Sequence, residues 1–261
     1  MRNKHLLAFM LALSFLTRLP LPANLFQNID TPADYGALQS RSTLFYPLVG
    51  AVIALLLTLL GLLMPLAMAP LLQAFILVLV WTVMTGALHL DGLADAIDAA
   101  AASHKDPTRT LAVFSDPNAG PMAIVALVFV VFGKVLLVAE LLMMSLSMWV
   151  VLLLVIAMSR HLGVLYMLFT HYAKEQGIAK NMDLKQHQSS LCLSCLALCV
   201  LSFFLVSFTT LITLFCSLAA LLFFWRHYWL KKINGYTGDC VGALIELAEL
   251  LILFVLYIGE Y

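Results

Sequence analysis

Apolar residues run almost unbroken through seven stretches of the chain, at about 44–64, 66–88, 121–143, 147–169, 190–207, 209–228 and 241–258. A helix needs about 20 residues to cross a hydrocarbon core about 30 Å thick, and each stretch reaches that length, the fifth only just. The pattern predicts seven transmembrane helices. The connections near 65, 145 and 208 are very short, so the spans they join read as helical hairpins. Those at 89–120, 170–189 and 229–240 are longer and polar. A further apolar run at 6–16 is too short to span and reads as an interfacial or re-entrant helix. With Arg2 and Lys4 ahead of it, this run has the look of a secretory leader, but Arg18 and Leu19-Pro20-Leu21-Pro22 follow without an Ala-x-Ala cleavage site.

Composition supports the membrane reading. Of 261 residues, 63% are hydrophobic and only 11% charged, against about half and about a quarter in a soluble domain. The 14 basic and 14 acidic residues cancel, so no basic surplus points to nucleic acid. The distribution of positive charge is more telling than its sum. Arg2, Lys4, Arg18 and Arg41 precede the first span; Lys105 and Arg109 lie in 89–120; Lys174, Lys180 and Lys185 in 170–189; Arg226, Lys231 and Lys232 around 229–240. The three tight turns carry no Lys or Arg. Positive residues stay on the cytoplasmic side, so the N-terminus and all three long loops are expected there and the C-terminus outside. The expected fold is all-α and polytopic. It forms a single transmembrane catalytic domain over 1–261, with an N-terminal interfacial segment at 1–43 and a cytoplasmic acidic loop or helix at 89–120. Membrane lipid is the expected surroundings, and the apolar surface with its small residues also suits a homodimer.

Ionisable residues inside spans are costly and need a reason. Lys134 and Glu140 fall in the third span, Arg160 in the fourth, and Glu246 and Glu249 in the last. Snorkelling or structural ion pairs account for such groups in many membrane proteins. Glu246 is read as functional because of what precedes it.

The most informative stretch is His89-Leu90-Asp91-Gly92-Leu93-Ala94-Asp95-Ala96-Ile97-Asp98. On a helix, Asp91, Asp95 and Asp98 follow i, i+4, i+7 and share one side. Three like charges that close repel one another, and a hard divalent cation such as Mg²⁺ would relieve them through oxygen ligands. The small residues between them leave room for a ligand or a second helix. A second set lies on the same predicted side, where Asn234-Gly235-Tyr236-Thr237-Gly238-Asp239 leads into Gly242 and Glu246. Asp239, Gly242, Glu246 and Glu249 share a helix face, and a glycine-rich helix start at Gly238 suits a phosphate. Two acidic helices at one membrane face, with Arg160, Lys105 and Arg109 to hold phosphate oxygens, predict metal-assisted chemistry on a phosphorylated substrate. His89 adjoins the acidic segment and could orient a phosphate or an aspartate, or close a helix end. There is no Walker lysine loop, G-x-S-x-G or H-E-x-x-H, which sets aside those NTPase and hydrolase classes. Cys192, Cys195 and Cys199 lie on one helix face with no His or carboxylate among them, and read as packing residues.

From His89 to Asp95 the chain resembles the cobalamin synthase (adenosylcobinamide-GDP ribazoletransferase) family. The likeness extends through Thr17-Arg18-Leu19-Pro20, Tyr46-Pro47-Leu48-Val49-Gly50, Thr85-Gly86-Ala87-Leu88-His89, Ser115-Asp116, and Thr237-Gly238-Asp239 with Gly242-Ala243 and Glu246. Three positions differ from the family's habit: no basic residue precedes Asp116, Asn118 stands where a basic or aromatic residue is common, and Asn234 stands where a glycine is usual. The resemblance implies the last assembly step of the cobalamin nucleotide loop. Adenosylcobinamide-GDP and α-ribazole, or α-ribazole 5′-phosphate, would be joined with Mg²⁺ and release of GMP, at the bacterial cytoplasmic (inner) membrane with the active site facing the cytoplasm. It further implies Asp91 and Asp95 as metal ligands, with Asp98 completing the shell or acting as base. Asp239 and Glu246 would hold a second metal or orient the acceptor. His89, Arg109, Asp116, Arg160 and Gly238 would contact substrate.

Two alternatives remain at this level. CDP-alcohol phosphotransferases also place Asp-Gly-x-x-Ala at a membrane face, but their Arg after the alanine is Asp95 here. A cation- or proton-coupled transporter could use Glu246, Lys134 and Arg160 as a relay. That class wants its ionisable groups at the midplane, whereas the aspartates gather at one face.

Overall fold

A computed structural model describes residues 4–22, 25–26, 31–102, 106–114, 116, 118–144, 147–174 and 177–259. Lys105 and Ser115, named above, lie outside these residues, as do Arg2 and the last two positions. Among the described residues the chain is all-α. The helices are α1 (Lys4–Leu16), α2 (Pro32–Ser42), α3 (Tyr46–Leu63), α4 (Pro70–Thr85), α5 (Leu88–Ala101), α6 (Pro107–Val113), α7 (Pro121–Met143), α8 (Met148–Phe169), α9 (Gln188–Leu205), α10 (Phe208–Ile233) and α11 (Gly238–Gly259).

Helix starts follow local chemistry. Proline occupies the first turn of α3, α4, α6 and α7, where its missing N–H costs nothing. The Thr31 hydroxyl accepts from the Asp34 N–H, Asp106 from Thr108 and Ser207 from Thr210, each satisfying an amide that the helix leaves open. The C-terminus of α10 is closed by Asn234 in the left-handed conformation.

Six helical segments are long and apolar enough to cross a membrane: Asp34–Leu63, α7, α8, α9, α10 and α11. Among the described residues, α4 and α5 reach that length and apolarity only as a pair, which is bent by 86° at its break, a broken span or a re-entrant loop. The seven apolar stretches therefore correspond to α3, α4 and α7–α11. The second one ends earlier than its composition suggests, because Gly86 and Ala87 both turn left-handed, at φ 62° and 56°. Glycine takes this conformation freely; for Ala87 it costs about 1–2 kcal/mol. The turn aims α5 away from α4 and lays it across the first turns of α7 and α11.

The spans do not share burial equally. In their most apolar stretches 72% of α8 and 67% of α11 are buried, against 11% of α9 and 17% of α10. The core is thus α8 and α11, wrapped by α3, α4, α5 and α7. Helices α9 and α10 lie outside it and turn Leu193, Leu196, Phe204, Phe208 and Phe223 outward, the arrangement that lipid tails permit and water does not. The short α1 packs its Ala8, Leu11, Ala12, Leu13 and Leu16 face inward, and the Arg18 N–H donates to the Met84 carbonyl at 2.7 Å.

Candidate functional site

One end of the bundle gathers the polar segments. Helix α5 crosses α11 where Gly92 meets Gly242: a Cβ on Gly92 would stand 2.9 Å from the Asp239 carbonyl oxygen. Only glycine allows this approach, and the approach brings the aspartates of α5 beside Asp239. The chain leaving α8 is laced to the chain entering α11. The Ala173 N–H donates to the Tyr236 carbonyl, and the Tyr236 N–H to the His171 carbonyl, both at 2.9 Å. Lys174 is thereby set with its Nζ 3.3 Å from Asp239 Oδ2.

These elements enclose a cavity of about 390 Å³. Asp91, Asp239 and Lys174 form its polar edge, with His89 and Gly238. Phe15, Tyr46, Tyr172 and Tyr236 give it aromatic walls; Tyr46 stacks on Phe15 at 6.2 Å, and Tyr172 meets Tyr236 edge-on at 5.4 Å. Asp95 lies beside this edge. Burial, then the charges of Asp239 and Asp91, push its carboxyl from 3.8 up to about 6, against the pull of Lys174. His89 is buried and its Nδ1 has no hydrogen-bond partner among the described residues. Burial, helped by the positive Arg160 and Lys134, holds its imidazole well below the usual range, so it is neutral. Above Gly238 nothing stands within 4 Å of where a Cβ would be, which leaves the start of α11 open to a ligand.

A second charged group lies deeper along α11. Lys134 of α7 bonds Glu246 at 2.5 Å and also bonds Glu249, while Arg160 of α8 bonds Glu249 and the Ser159 hydroxyl. All four charged residues are at most 5% exposed, and Trp81 lies under both cations. Two positive and two negative charges sum to zero, as burial demands.

This arrangement brings some of the expected site residues together and sets others apart. Asp91, Asp95 and Asp239 do come together with His89 and Gly238. Asp98 does not join them: its carboxylate accepts from the Gly120 N–H at 2.5 Å and the Ala123 N–H at 3.3 Å, capping α7, because the steep crossing of α5 carries its C-terminal half over that helix. Glu246 and Arg160 are tied up in the sealed ion pairs rather than facing the cavity. Arg109 points to solvent, its side chain 75% exposed and 3.9 Å from Asp106. Asp116 is exposed and closes a turn by accepting from the Asn118 N–H and side-chain amide; those two bonds lower its carboxyl from the ordinary value. Among the described residues no three of His, Cys, Asp and Glu come close enough to cage an ion by themselves. The sequence reading overlooked Lys174, Tyr46, Tyr172, Tyr236 and Gln39 as cavity residues. Lys174 was visible there only as one of several loop charges.

The fold and cavity define a polytopic membrane protein with a carboxylate-edged pocket at one end of its helix bundle. Residues 8–257 match the family model described as cobalamin-5-phosphate synthase. Proteins named adenosylcobinamide-GDP ribazoletransferase match across nearly their full length. The one from Stutzerimonas stutzeri is 38% identical over 95% of this chain and 96% of its own. That from Pseudomonas syringae is 37% identical over 96% and 99%, and that from Pseudomonas fluorescens 36% over 95% and 98%. The chain belongs to the cobalamin-5-phosphate synthase family, and is an integral membrane transferase of the final nucleotide-loop assembly step in cobalamin biosynthesis. No solved structure matches it.

Proposed function

We propose that the enzyme joins adenosylcobinamide-GDP to α-ribazole or its 5′-phosphate, releasing GMP, and that the cavity edged by Asp91 and Asp239 is where the two meet. The observation that carries the reading is the placement of three carboxylates from two distant segments beside one lysine, at an open helix N-terminus. The relatives named adenosylcobinamide-GDP ribazoletransferase support it.

The donor set is all carboxylate oxygen, which fits Mg²⁺. With no complete protein cage among the described residues, the fit is to an ion that takes one or two carboxylates and completes its shell with phosphate and water. Asp91 and Asp95 would hold it, with Asp239 beside them. When bound, Mg²⁺ neutralises charge on the phosphate oxygens and the leaving GMP. The chain's own residues do the rest. The amides at the start of α11 receive phosphate oxygens. Neutral His89 offers a hydrogen bond to the acceptor hydroxyl from a buried position. Tyr46, Tyr172 and Tyr236 flank a planar base. At about 390 Å³ the cavity lies toward the small end of the ~300–1,000 Å³ typical of ligand sites; it takes a nucleoside and phosphate, and the corrin ring stays at the mouth. The positive charge of the long loops supports a cytoplasmic orientation for this end of the bundle, in the inner membrane.

The test uses detergent-solubilised protein with both substrates, in Mg²⁺ or in EDTA, following GMP and the cobamide product. The expected result is GMP release that stops in EDTA and returns with Mg²⁺. Absence of turnover in folded protein across several divalent metals overturns the reading and favours a transporter.

A further inference from the structure

We propose that Lys174 is the cavity's phosphate-binding side chain, resting on Asp239 until a phosphorylated substrate displaces that contact. The proposal rests on the function above in taking the substrate to be phosphorylated. The two arginines that sequence offered for phosphate contact are not at the cavity: Arg109 faces solvent and Arg160 is sealed in an ion pair. Among the described residues lining the cavity, Lys174 is the one Lys or Arg. An anionic substrate entering a space bordered by Asp91 and Asp239, with Asp95 near both, meets net negative charge, so a fixed cation on the wall matters.

Its contacts suit exchange. The Lys174–Asp239 pair is 3.3 Å apart, with the two side chains 28% and 26% exposed. The sealed pairs of α7, α8 and α11 are shorter and almost fully buried. A pair about a quarter exposed is screened by solvent and contributes little, whereas an ammonium–phosphate hydrogen bond is stronger. The backbone that carries Lys174 is nevertheless fixed one residue earlier, by the bonds between 171–173 and Tyr236. The Nζ also lies 5.7 Å over the Phe114 ring, which limits where the chain can swing. Gly238 and Asp239, ahead of the Cys240 amide that the Thr237 hydroxyl caps at 3.2 Å, line the same space at the start of α11, and buried His89 lines it with an unpartnered Nδ1. Together these form a phosphate site with a cation on one side and backbone donors on the other.

Two phosphates are available: the diphosphate of adenosylcobinamide-GDP and the 5′-phosphate of the acceptor. Steady-state kinetics on the full chain with α-ribazole and with α-ribazole 5′-phosphate separates them. Lys174→Gln is expected to raise the KM of the phosphate-bearing substrate by about 10- to 100-fold, with kcat changing less, and Lys174→Arg to recover most of the loss. A rise confined to α-ribazole 5′-phosphate assigns the acceptor; a rise for adenosylcobinamide-GDP with either acceptor assigns the diphosphate. All three KM values unchanged in Lys174→Gln overturns the proposal. If wild-type protein turns over none of these substrates, the function reading falls, and Lys174 is decided separately by calorimetric titration with inorganic pyrophosphate. Weaker binding to Lys174→Gln supports it, and equal binding overturns it.

Discussion

Two groups of charged residues lie along α11, and they are built on opposite terms. The deeper one is sealed and balanced: Lys134 and Arg160 against Glu246 and Glu249, none more than 5% exposed. The outer one is open and unbalanced: Asp91 and Asp239 against Lys174 on the edge of a cavity, with Asp95 within reach of their charges. Asp239 and Glu246 are seven residues apart, about 10 Å along the helix, so one helix face carries both. A charge in a membrane protein is often read as a functional site by default. Here the more deeply buried charges are the ones paired with an opposite charge, although Arg160 Nε and Nη2 have no hydrogen-bond partner among the described residues, and the excess of negative charge stands at the rim. Unbalanced charge, rather than depth, singles out the proposed site.

The sharpest way to break this contrast is to unbalance the sealed group. Lys134→Met leaves two carboxylates facing Arg160 alone, and should destabilise the protein by about 3–5 kcal/mol, seen as a large fall in melting temperature in detergent. Adding Glu246→Gln removes the matching charge and should restore most of the loss. A smaller effect is expected at the rim. Asp239→Asn should lower turnover by about 10²-fold, an effect of the size seen when one charge-stabilising group is removed, with little change in melting temperature.

Asp95 gives a pH test. Its carboxyl is raised to about 6 in the folded protein and returns to 3.8 when unfolded. Between those values the folded state holds a proton that the unfolded chain releases, so stability falls as pH rises from about 4 to about 6 and levels off above. In metal-free buffer, melting temperature against pH should show this decline in wild type and a shallower one in Asp95→Asn. The smallest effect is expected far from both groups. Cys192, Cys195 and Cys199 lie on the little-buried α9, and replacing all three with alanine should leave activity unchanged and stability within about 0.5 kcal/mol per site.

The spans were legible because a bilayer asks for length and apolarity, which composition carries directly: the stretch at 121–143 is α7, and that at 147–169 is α8 plus one residue. The bend after α4 was not legible. Gly86 hinted at a helix end, but the left-handed Ala87 depends on the packing it joins. The acidic segment was legible as a helical i, i+4, i+7 face, yet Asp98 went to α7, because the angle at which α5 crosses its neighbours is set by Gly92 and Gly242. Partners far apart in sequence were the least visible. Lys134 finds Glu249 across 115 residues, and Lys174 finds Asp239 across 65. A loop lysine and a membrane lysine look alike in the chain; only the fold shows that the membrane one is locked and the loop one available.

The division of labour between the two groups can be tested by measuring GMP release and melting temperature together, for Asp91→Asn and for the charge-neutral double variant Lys134→Met/Glu246→Gln. Asp91→Asn is predicted to melt like wild type and lose GMP release by about 10³-fold. The double variant is predicted to keep turnover within about tenfold of wild type. Turnover that survives Asp91→Asn but is lost in a well-folded double variant would contradict the account and move the chemistry to the sealed group.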